Sequence, residues 1–113
     1  MAKLGAALRN VSAAKTTVAG PEENSLDDAI LSLKAYAPEA LAELGLITSH
    51  TYNGDHRSEL SDLAASLGKP LWNSEYGDGG GALQGGVALA QRIITDLNYL
   101  NISVSWGCYS KAR

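Results

Sequence analysis

The spacing of apolar residues switches repeatedly along the chain between that of strands and that of helices. Four short runs rich in β-branched and aromatic residues, at positions 16–19, 46–50, 70–75 and 102–106, predict strands. Between these runs apolar residues recur every three or four positions, which is typical of helices that bury one face. The chain therefore predicts alternating strands and helices, preceded by a short helix around residues 4–8.

Local signals mark the ends of the predicted helices. Ser25, with Asp28 three residues later, is typical of a capped helix start, and Pro38 is typical of the first position of a second helix. Gly68 and Pro70 are expected to end the helix that precedes the third strand. The last helix carries one continuous apolar stripe, formed by Leu83, Val87, Ala90, Ile94 and Leu97.

Helical crossovers of this length between strands imply a parallel sheet with right-handed connections. Two architectures fit, a small doubly wound sheet and a piece of a (β/α) barrel. At 113 residues the chain has the size of one domain, whereas a complete barrel needs about 250 residues. We therefore expect the α/β class and a single domain over residues 1–113, a half-barrel of about four parallel strands with flanking helices. Such a fragment leaves two sheet edges and its inner face uncovered.

Composition and charge exclude several kinds of partner. The formal net charge of −3 provides no basic stripe, so we expect neither nucleic acid nor an anionic membrane surface as a partner. One cysteine, Cys108, and two histidines leave no cluster with metal-ligand spacing, so no metal and no cofactor are predicted. The apolar run at residues 4–8 is too short for a signal peptide, and no stretch approaches the roughly 20 apolar residues of a membrane span.

A glycine-rich segment from Gly77 to Ala82 formally matches a dinucleotide-binding fingerprint, because it follows a strand and opens a helix. In nucleotide-binding domains, however, an acidic residue ends the next strand, and here that strand ends with Ser105 and Trp106. A flexible loop between strand and helix is the interpretation that we prefer.

Glu75 is the candidate catalytic residue, because it ends the third predicted strand. Side chains alternate along a strand, so Leu71, Asn73 and Glu75 are expected to share one face. If that face lines the barrel interior, Glu75 points inward at the carboxyl end of the sheet, where barrel enzymes have their active sites. The alternative is a glutamate that is solvated or caps a loop.

Aromatic and polar residues converge on the same end of the predicted sheet. His50 and Tyr52 close the second strand, and Trp106 and Tyr109 close the fourth. Sugar binding requires such a mixture, because rings stack on C–H faces while polar groups hold hydroxyls. The sequence thus favours a carbohydrate site around Glu75.

Three segments resemble the C-terminal barrel half of family 30 glycoside hydrolases. They are residues 50–54, residues 68–77 and the long helix that ends at residues 96–98, and they are most similar to the endo-β-1,6-galactanase branch. Residues 18–25 are similar to that branch's fifth strand and its loop. The resemblance therefore implies strands five to eight of a (β/α)8 barrel, and it implies a secreted enzyme.

The resemblance also implies roles for individual residues. Glu75 corresponds to the nucleophile of a retaining mechanism at the end of strand seven, and Tyr52 and Asn73 are its expected hydrogen-bond donors. The expected substrate is β-1,6-linked galactan or a related polysaccharide. The residues expected to bind it are His50, Tyr52, Asn73, Trp106 and Tyr109.

The family's second catalytic carboxylate has no counterpart here. In the family, this glutamate acid/base follows an asparagine at strand four, but the sequence contains neither an Asn-Glu pair nor strands one to four. Glu22 and Glu23, which follow the first strand, are the alternative acids. We therefore expect a fragment that carries the nucleophile, lacks the acid/base and is inactive alone.

Two alternatives without catalysis stay open. The half-barrel could work as a scaffold that associates with a second copy or with a complementary N-terminal half, with Ile47, Leu71 and Ile102 on its uncovered strands. It could also be a remnant that binds carbohydrate through its aromatic rim.

Overall fold

The computed structural model describes residues 2–11, 16–77 and 83–107, with the backbone alone for 104–107. Within these residues the chain forms four strands and five α-helices. The strands are β1 (Val18–Ser25), β2 (Leu44–Asn53), β3 (Leu71–Tyr76) and β4 (Val104–Gly107). The helices are α1 (Ala2–Arg9), α2 (Leu26–Ala35), α3 (Pro38–Glu43), α4 (Arg57–Ser66) and α5 (Leu83–Thr95), and α5 continues into a π-helical turn (Asp96–Leu100).

All four strands are parallel and lie in one sheet in the order β1-β2-β3-β4. Neighbours in the sheet are also neighbours in the sequence, without the reversal of strand order that is typical of a doubly wound sheet. This is the order of strands in the wall of a (β/α) barrel. The predicted α/β class and parallel partial-barrel architecture are therefore confirmed.

The hydrophobic core lies between one face of the sheet and helices α2 and α4. Ile47, Leu71 and Ile102 are at most 6% exposed and belong to one apolar cluster with residues of both helices. The helical members of this cluster are Leu26, Ala29, Ile30, Leu33, Leu60 and Ala64. The prediction that the three strand residues lie on an uncovered face is therefore wrong, because the chain's own helices cover that face.

The ends of the helices follow the local signals in the sequence. The Ser25 hydroxyl accepts hydrogen bonds from the backbone N–H groups of Asp27 and Asp28, at 3.2 and 3.4 Å. Pro38 occupies the first turn of α3. Gly68 follows α4 with a φ of +64°, a left-handed conformation that glycine adopts at little cost. The predicted cap and helix boundaries are confirmed.

Two strands differ from their predicted limits. Strand β1 begins at Val18 and continues to Ser25 through three register shifts, with Glu22 at a φ of +65°. Its second half consists of glutamate, asparagine and serine, which have low strand propensity and gave no signal. Strand β4 begins at Val104, and Ile102 is buried just before it.

Helix α5 has no buried residue, whereas Asp96 and Leu100 of the π-helical turn that follows it are fully buried. The predicted apolar stripe is present on α5, but it faces solvent, and Leu83, Val87 and Ile94 are exposed by 81%, 50% and 58%. The described structure thus leaves one apolar helix face uncovered. In the described ranges no helix combines the length and the apolar content needed to cross a membrane.

Two ion pairs join α2 to the start of α4, and one of them contains a histidine. His56 Nδ1 lies 2.7 Å from Asp27 Oδ1, and Lys34 Nζ lies 2.8 Å from Glu59 Oε1. The hydrogen bond to Asp27 raises the pKa of His56 above 6.5, and the same bond lowers the pKa of Asp27 below 3.8. The pair therefore stabilises the fold fully between these two values. Its contribution is lost as the pH rises through the folded-state pKa of His56 or falls through that of Asp27.

We expect His56→Gln to lower the free energy of unfolding more at about pH 5 than at about pH 9, because the raised pKa of His56 makes its stabilising contribution decline as the pH rises. Chemical denaturation at the two pH values measures this difference. Lys34→Gln is the matched control, because its ion pair joins the same helices but contains no histidine. An equal loss of stability at both pH values in His56→Gln would contradict the prediction.

Candidate active site

Strand β3 contains one extra residue between Asn73 and Glu75. Asn73 pairs with Ser49 of β2, and Glu75 pairs with the next residue of β2, His50, so that Ser74 is inserted as a bulge. The pairing of β3 with β4 shifts register in the same part of the strand. Because side chains alternate along a strand, one extra residue moves the side chains that follow it to the other face.

The bulge separates side chains that the sequence placed together. Leu71 and Asn73 are buried on the face that the helices cover. Glu75 instead contacts His50 and Tyr52 on the opposite face, which we call the inner face. The prediction that Leu71, Asn73 and Glu75 share one face is therefore wrong. The Glu75 side chain still points inward at the carboxyl end of its strand, because the bulge turns it to the other face of the sheet.

The Glu75 carboxylate is held on one side and open on the other. The Tyr52 hydroxyl donates a hydrogen bond to Glu75 Oε1 at 2.8 Å. His50 Nε2 lies 3.7 Å from Glu75 Oε2, beyond a strong hydrogen bond but within the range of an ion pair when the imidazole is protonated. The Glu75 side chain is 42% exposed. A small molecule in the solvent can therefore reach the carboxylate while Tyr52 fixes its orientation.

His50 is itself oriented by the neighbouring strand. Its Nδ1 atom lies 2.7 Å from Asn24 Oδ1 of β1. When the Asn24 oxygen accepts this hydrogen bond, the proton of a neutral imidazole is on Nδ1 and Nε2 presents a lone pair to the inner face. Asn24 was not predicted as a site residue, although it lies in the segment 18–25 that resembles the family.

Aromatic rings extend the site along the ends of β2 and β3. The Tyr52 and Tyr76 rings lie 5.8 Å apart at 37°, and the His50 ring meets Tyr52 edge-on at 5.9 Å. The guanidinium of Arg92, from α5, lies 4.8 Å from the centre of the Tyr76 ring, a cation–π contact. The sequence gave no signal for Arg92, because this contact depends on how α5 is placed over the sheet.

A buried polar network lies on the other side of the sheet, directly behind Glu75. Asn73 Nδ2 donates to Thr51 Oγ1 and to Asp96 Oδ2, both at 2.9 Å, and the Thr51 hydroxyl donates to Asp96 Oδ2 at 3.1 Å. Arg57 Nε donates to Asp96 Oδ1 at 2.8 Å. Asn73, Thr51 and Asp96 are fully buried. The network joins β2, β3, α4 and the turn after α5.

The expected role of Asn73 in sugar binding is contradicted by its burial. Its side chain lies on the helix-covered face, and its Oδ1 atom accepts a hydrogen bond from the backbone N–H of Glu75 at 3.2 Å. Asn73 therefore supports the backbone at the bulge instead of facing a substrate. Strict alternation along the strand put it on the wrong face, because nothing in the residue types marks the extra residue.

Two predicted sugar-binding residues cannot be placed relative to this cluster. Trp106 belongs to β4, where the backbone alone is described, and Tyr109 lies outside the described residues. Their roles stay predictions. Residues 78–82, which hold most of the glycine-rich segment proposed as an alternative nucleotide site, also lie outside the described residues.

Of the two alternative acids, Glu23 is held by the helix layer and Glu22 is exposed. Glu23 Oε1 accepts a hydrogen bond from the Ser32 hydroxyl of α2 at 2.7 Å, so this carboxylate points toward the helix layer. Glu22 is exposed, in the left-handed conformation noted above. Across residues 2–11, 16–77 and 83–107, no group of three or more His, Cys, Asp or Glu side chains could hold a metal ion.

Fold and site together define a class, a segment of a (β/α) barrel with a carboxylate at the carboxyl end of a strand. No protein-family model matches the chain. An endo-beta-1,6-galactanase from Hypocrea rufa is 34% identical to it over 86 residues, which are 74% of this chain and 17% of that protein.

Two solved structures have the same fold over nearly the whole chain. A glycoside hydrolase family 30 subfamily 8 xylanase from Clostridium acetobutylicum matches with a TM-score of 0.72 and 20% identity, over 99% of this chain and 27% of that one. A GH30 endoxylanase from Clostridium papyrosolvens C71 matches with a TM-score of 0.67 and 16% identity, over 93% and 28%. The chain is thus similar to a segment of family 30 glycoside hydrolases, which confirms the predicted resemblance. It spans only a small part of the length of each of these relatives.

The buried network predicts a large difference between two acidic residues. Asp96 is fully buried against Arg57, so Asp96→Ala leaves an uncompensated guanidinium and should cost about 3–5 kcal/mol of unfolding free energy. Glu59→Ala is the control, because it breaks only the solvent-exposed pair with Lys34 and should change the unfolding free energy far less. Urea denaturation of the two variants measures both values. A similar small cost for both would show that the Asp96 site is hydrated and not buried.

Proposed function

We propose that the chain carries the nucleophile side of a retaining glycoside hydrolase that acts on β-1,6-linked galactan outside the cell. Glu75 is the nucleophile. The observation that carries the proposal is the position of Glu75, at the carboxyl end of β3, accepting a hydrogen bond from Tyr52 and open to solvent. The galactanase named above supports the choice of polymer.

The geometry suits attack on an anomeric carbon. Tyr52 donates to Oε1, which fixes the plane of the carboxylate. The other oxygen, Oε2, is turned toward the His50 edge. Nucleophilic catalysis needs such an oriented carboxylate, because a small misplacement of the attacking atom lowers the rate strongly.

His50, Tyr52 and the rim around them form the proposed sugar contact. His50 and Tyr52 present polar atoms next to Glu75, and Tyr76 adds a ring at the strand end. This mixture of rings and polar atoms matches the two sides of a sugar. Trp106 and Tyr109 are proposed to contribute further aromatic contacts to the sugar.

We propose that the proton donor comes from residues outside this sequence. Retention requires two carboxyl groups about 5–5.5 Å apart across the scissile bond. The sequence has no Asn-Glu pair, and the Glu23 carboxylate is bound to Ser32 of α2. Without a general acid the rate falls by about 10²- to 10⁴-fold, and loss of the rest of the pocket lowers it further. We therefore propose that the 113-residue chain alone does not hydrolyse galactan.

A substrate whose leaving group needs no proton tests the nucleophile separately from the acid. We expect a 2,4-dinitrophenyl 2-deoxy-2-fluoro-β-galactoside to label Glu75. A Glu75 oxygen forms an ester bond to the anomeric carbon, the bond from that carbon to the dinitrophenyl oxygen breaks, and dinitrophenolate leaves with the electron pair. Peptide mass spectrometry locates the label. Glu75→Gln should not be labelled, and Glu59→Gln, an exposed glutamate remote from the site, should be labelled like the unaltered chain.

The outcomes separate the alternatives. Absence of the label, or a label on another carboxylate, would reject Glu75 as the nucleophile. Binding of galacto-oligosaccharides without labelling would favour a carbohydrate-binding remnant. Release of reducing ends from β-1,6-galactan by the chain alone, abolished in Glu75→Gln, would contradict its inactivity.

A second candidate function is association of two copies, which the exposed apolar stripe of α5 and the π-helical turn after it favours. Its residues follow one another at intervals of four, three, four and three, the spacing of a coiled-coil seam: Leu83, Val87, Ala90, Ile94 and Leu97. The positions beside the seam are uncharged: Gln84, Gly86, Gln91, Ile93 and Asn98. A second copy suits such a seam, because symmetric pairing brings identical residues together and no like charges meet.

Association through α5 predicts a concentration-dependent dimer. We expect Val87→Lys with Ile94→Lys to give a monomer at all concentrations, because the ammonium groups would be desolvated and repel each other in the pair. Sedimentation equilibrium over a range of micromolar concentrations measures this. Leu31→Lys is the matched control, since Leu31 is an exposed leucine on α2, away from the stripe. An unaltered chain that stays monomeric would reject this candidate.

A further inference from the structure

Backbone groups at the Ser74 bulge need hydrogen-bond partners other than those of the regular sheet. An extra residue in a strand leaves local backbone groups without their usual cross-strand partners. Asn73 Oδ1 supplies one partner, since it accepts the N–H of Glu75 two residues later at 3.2 Å. A side-chain amide oxygen that binds the backbone two residues ahead is a local turn that competes with the sheet.

The orientation of the Asn73 amide is fixed by two residues on the helix-covered face. Its Nδ2 atom donates to Thr51 Oγ1 and Asp96 Oδ2, both at 2.9 Å, so the oxygen must point along the strand toward the Glu75 N–H. Both acceptors are fully buried, where water does not compete for these bonds. A flipped amide would point its oxygen at the Asp96 carboxylate, with two acceptors facing each other.

Asp96 is held in turn by the helix layer. Arg57, at the start of α4, donates Nε to Asp96 Oδ1 at 2.8 Å and Nη1 to the Gly54 carbonyl at 3.5 Å. Asp96 opens the π-helical turn after α5, a rare geometry that often marks functional positions. The charged pair is costly to bury and adds little net stability, so its value lies in fixing one arrangement.

The alternative register explains why this arrangement matters. Without the extra residue, Glu75 would continue the alternation of Leu71 and Asn73 and lie on the helix-covered face. Its carboxylate would then be buried near Asp96, a like charge, and away from Tyr52. The network therefore separates two structures that differ by one residue in register.

We propose that Asn73 and Asp96 are positioning residues for the nucleophile. The buried chain from Arg57 through Asp96 to Asn73 stabilises the bulge and thereby turns Glu75 to the inner face, toward Tyr52. This inference rests on the proposed function only in calling Glu75 a nucleophile. The turning of its side chain is measured without substrate.

An exchange of amide and carboxylate tests the proposal. Asn73→Asp alone places two carboxylates side by side, whereas Asn73→Asp with Asp96→Asn restores one amide and one carboxylate and keeps the net charge. In the exchanged pair, residue 73 still accepts the Glu75 N–H and residue 96 still accepts from Arg57. We expect NMR to show cross-relaxation between the Tyr52 ring and the Glu75 methylene protons in the unaltered chain and in the double variant, but not in Asn73→Asp.

Two further variants keep the test decisive. Leu60→Ala removes a buried leucine of α4, so it lowers stability without touching the network, and the Tyr52–Glu75 signal should persist. Thr51→Val keeps the shape and removes one hydroxyl, and it decides the question if Asn73→Asp does not fold. In Thr51→Val we expect the Glu75 amide proton to exchange about tenfold faster with solvent.

Each outcome bears on one of the two claims. A folded Asn73→Asp that keeps the Tyr52–Glu75 signal, a double variant that does not regain it, or unchanged Glu75 exchange in Thr51→Val overturns the positioning role. If the NMR results are as expected but the dinitrophenyl galactoside does not label Glu75, the positioning role stands and the nucleophile assignment fails.

Discussion

The position of Glu75 depends on one extra residue in β3. Ser74 is inserted between Asn73, which pairs with Ser49, and Glu75, which pairs with His50. A strand has only two faces, so this single insertion decides whether the carboxylate meets the helix layer or the inner face. The contact with Tyr52, the exposure of the carboxylate and the whole carbohydrate interpretation follow from that choice.

The two faces of the sheet have different chemistry because of this arrangement. On the helix-covered face lie the apolar core and the buried Asp96 carboxylate, which accepts hydrogen bonds from Arg57, Thr51 and Asn73. On the inner face, polar and aromatic side chains stay partly open. A rigid, buried polar cluster behind a partly exposed carboxylate is the arrangement expected of a pre-organised site. The rigid cluster restricts the orientations that the carboxylate can adopt.

The sequence predicted the structural features that depend on residues close together in the chain. The Ser25 cap, Pro38 at the start of α3 and the alternation of strands and helices follow from near neighbours in the chain, and each is found. The identity of Glu75 as the candidate residue came from its place at a strand end. These features need no knowledge of how distant segments meet.

The sequence could not predict what depends on tertiary contacts. Asn73 was assigned to the wrong face, because a bulge is stabilised by Thr51 and Asp96, 22 and 23 residues away in the chain. The apolar stripe of α5 could be predicted from the sequence, but its exposure to solvent could not. Apolar residues have the same spacing on an uncovered helix face as on a covered one. The contact of Arg92 with Tyr76 was not predicted for the same reason, because it depends on where α5 lies over the sheet.

A crystal structure of the chain tests the central claim most directly, because the distance between the Tyr52 hydroxyl and the Glu75 carboxylate can be read from it. We expect these oxygens within hydrogen-bonding distance on the inner face, with the Asn73 amide buried against Asp96 behind them. A regular β3 without the extra residue, with the Glu75 side chain among the helices, would contradict the claim.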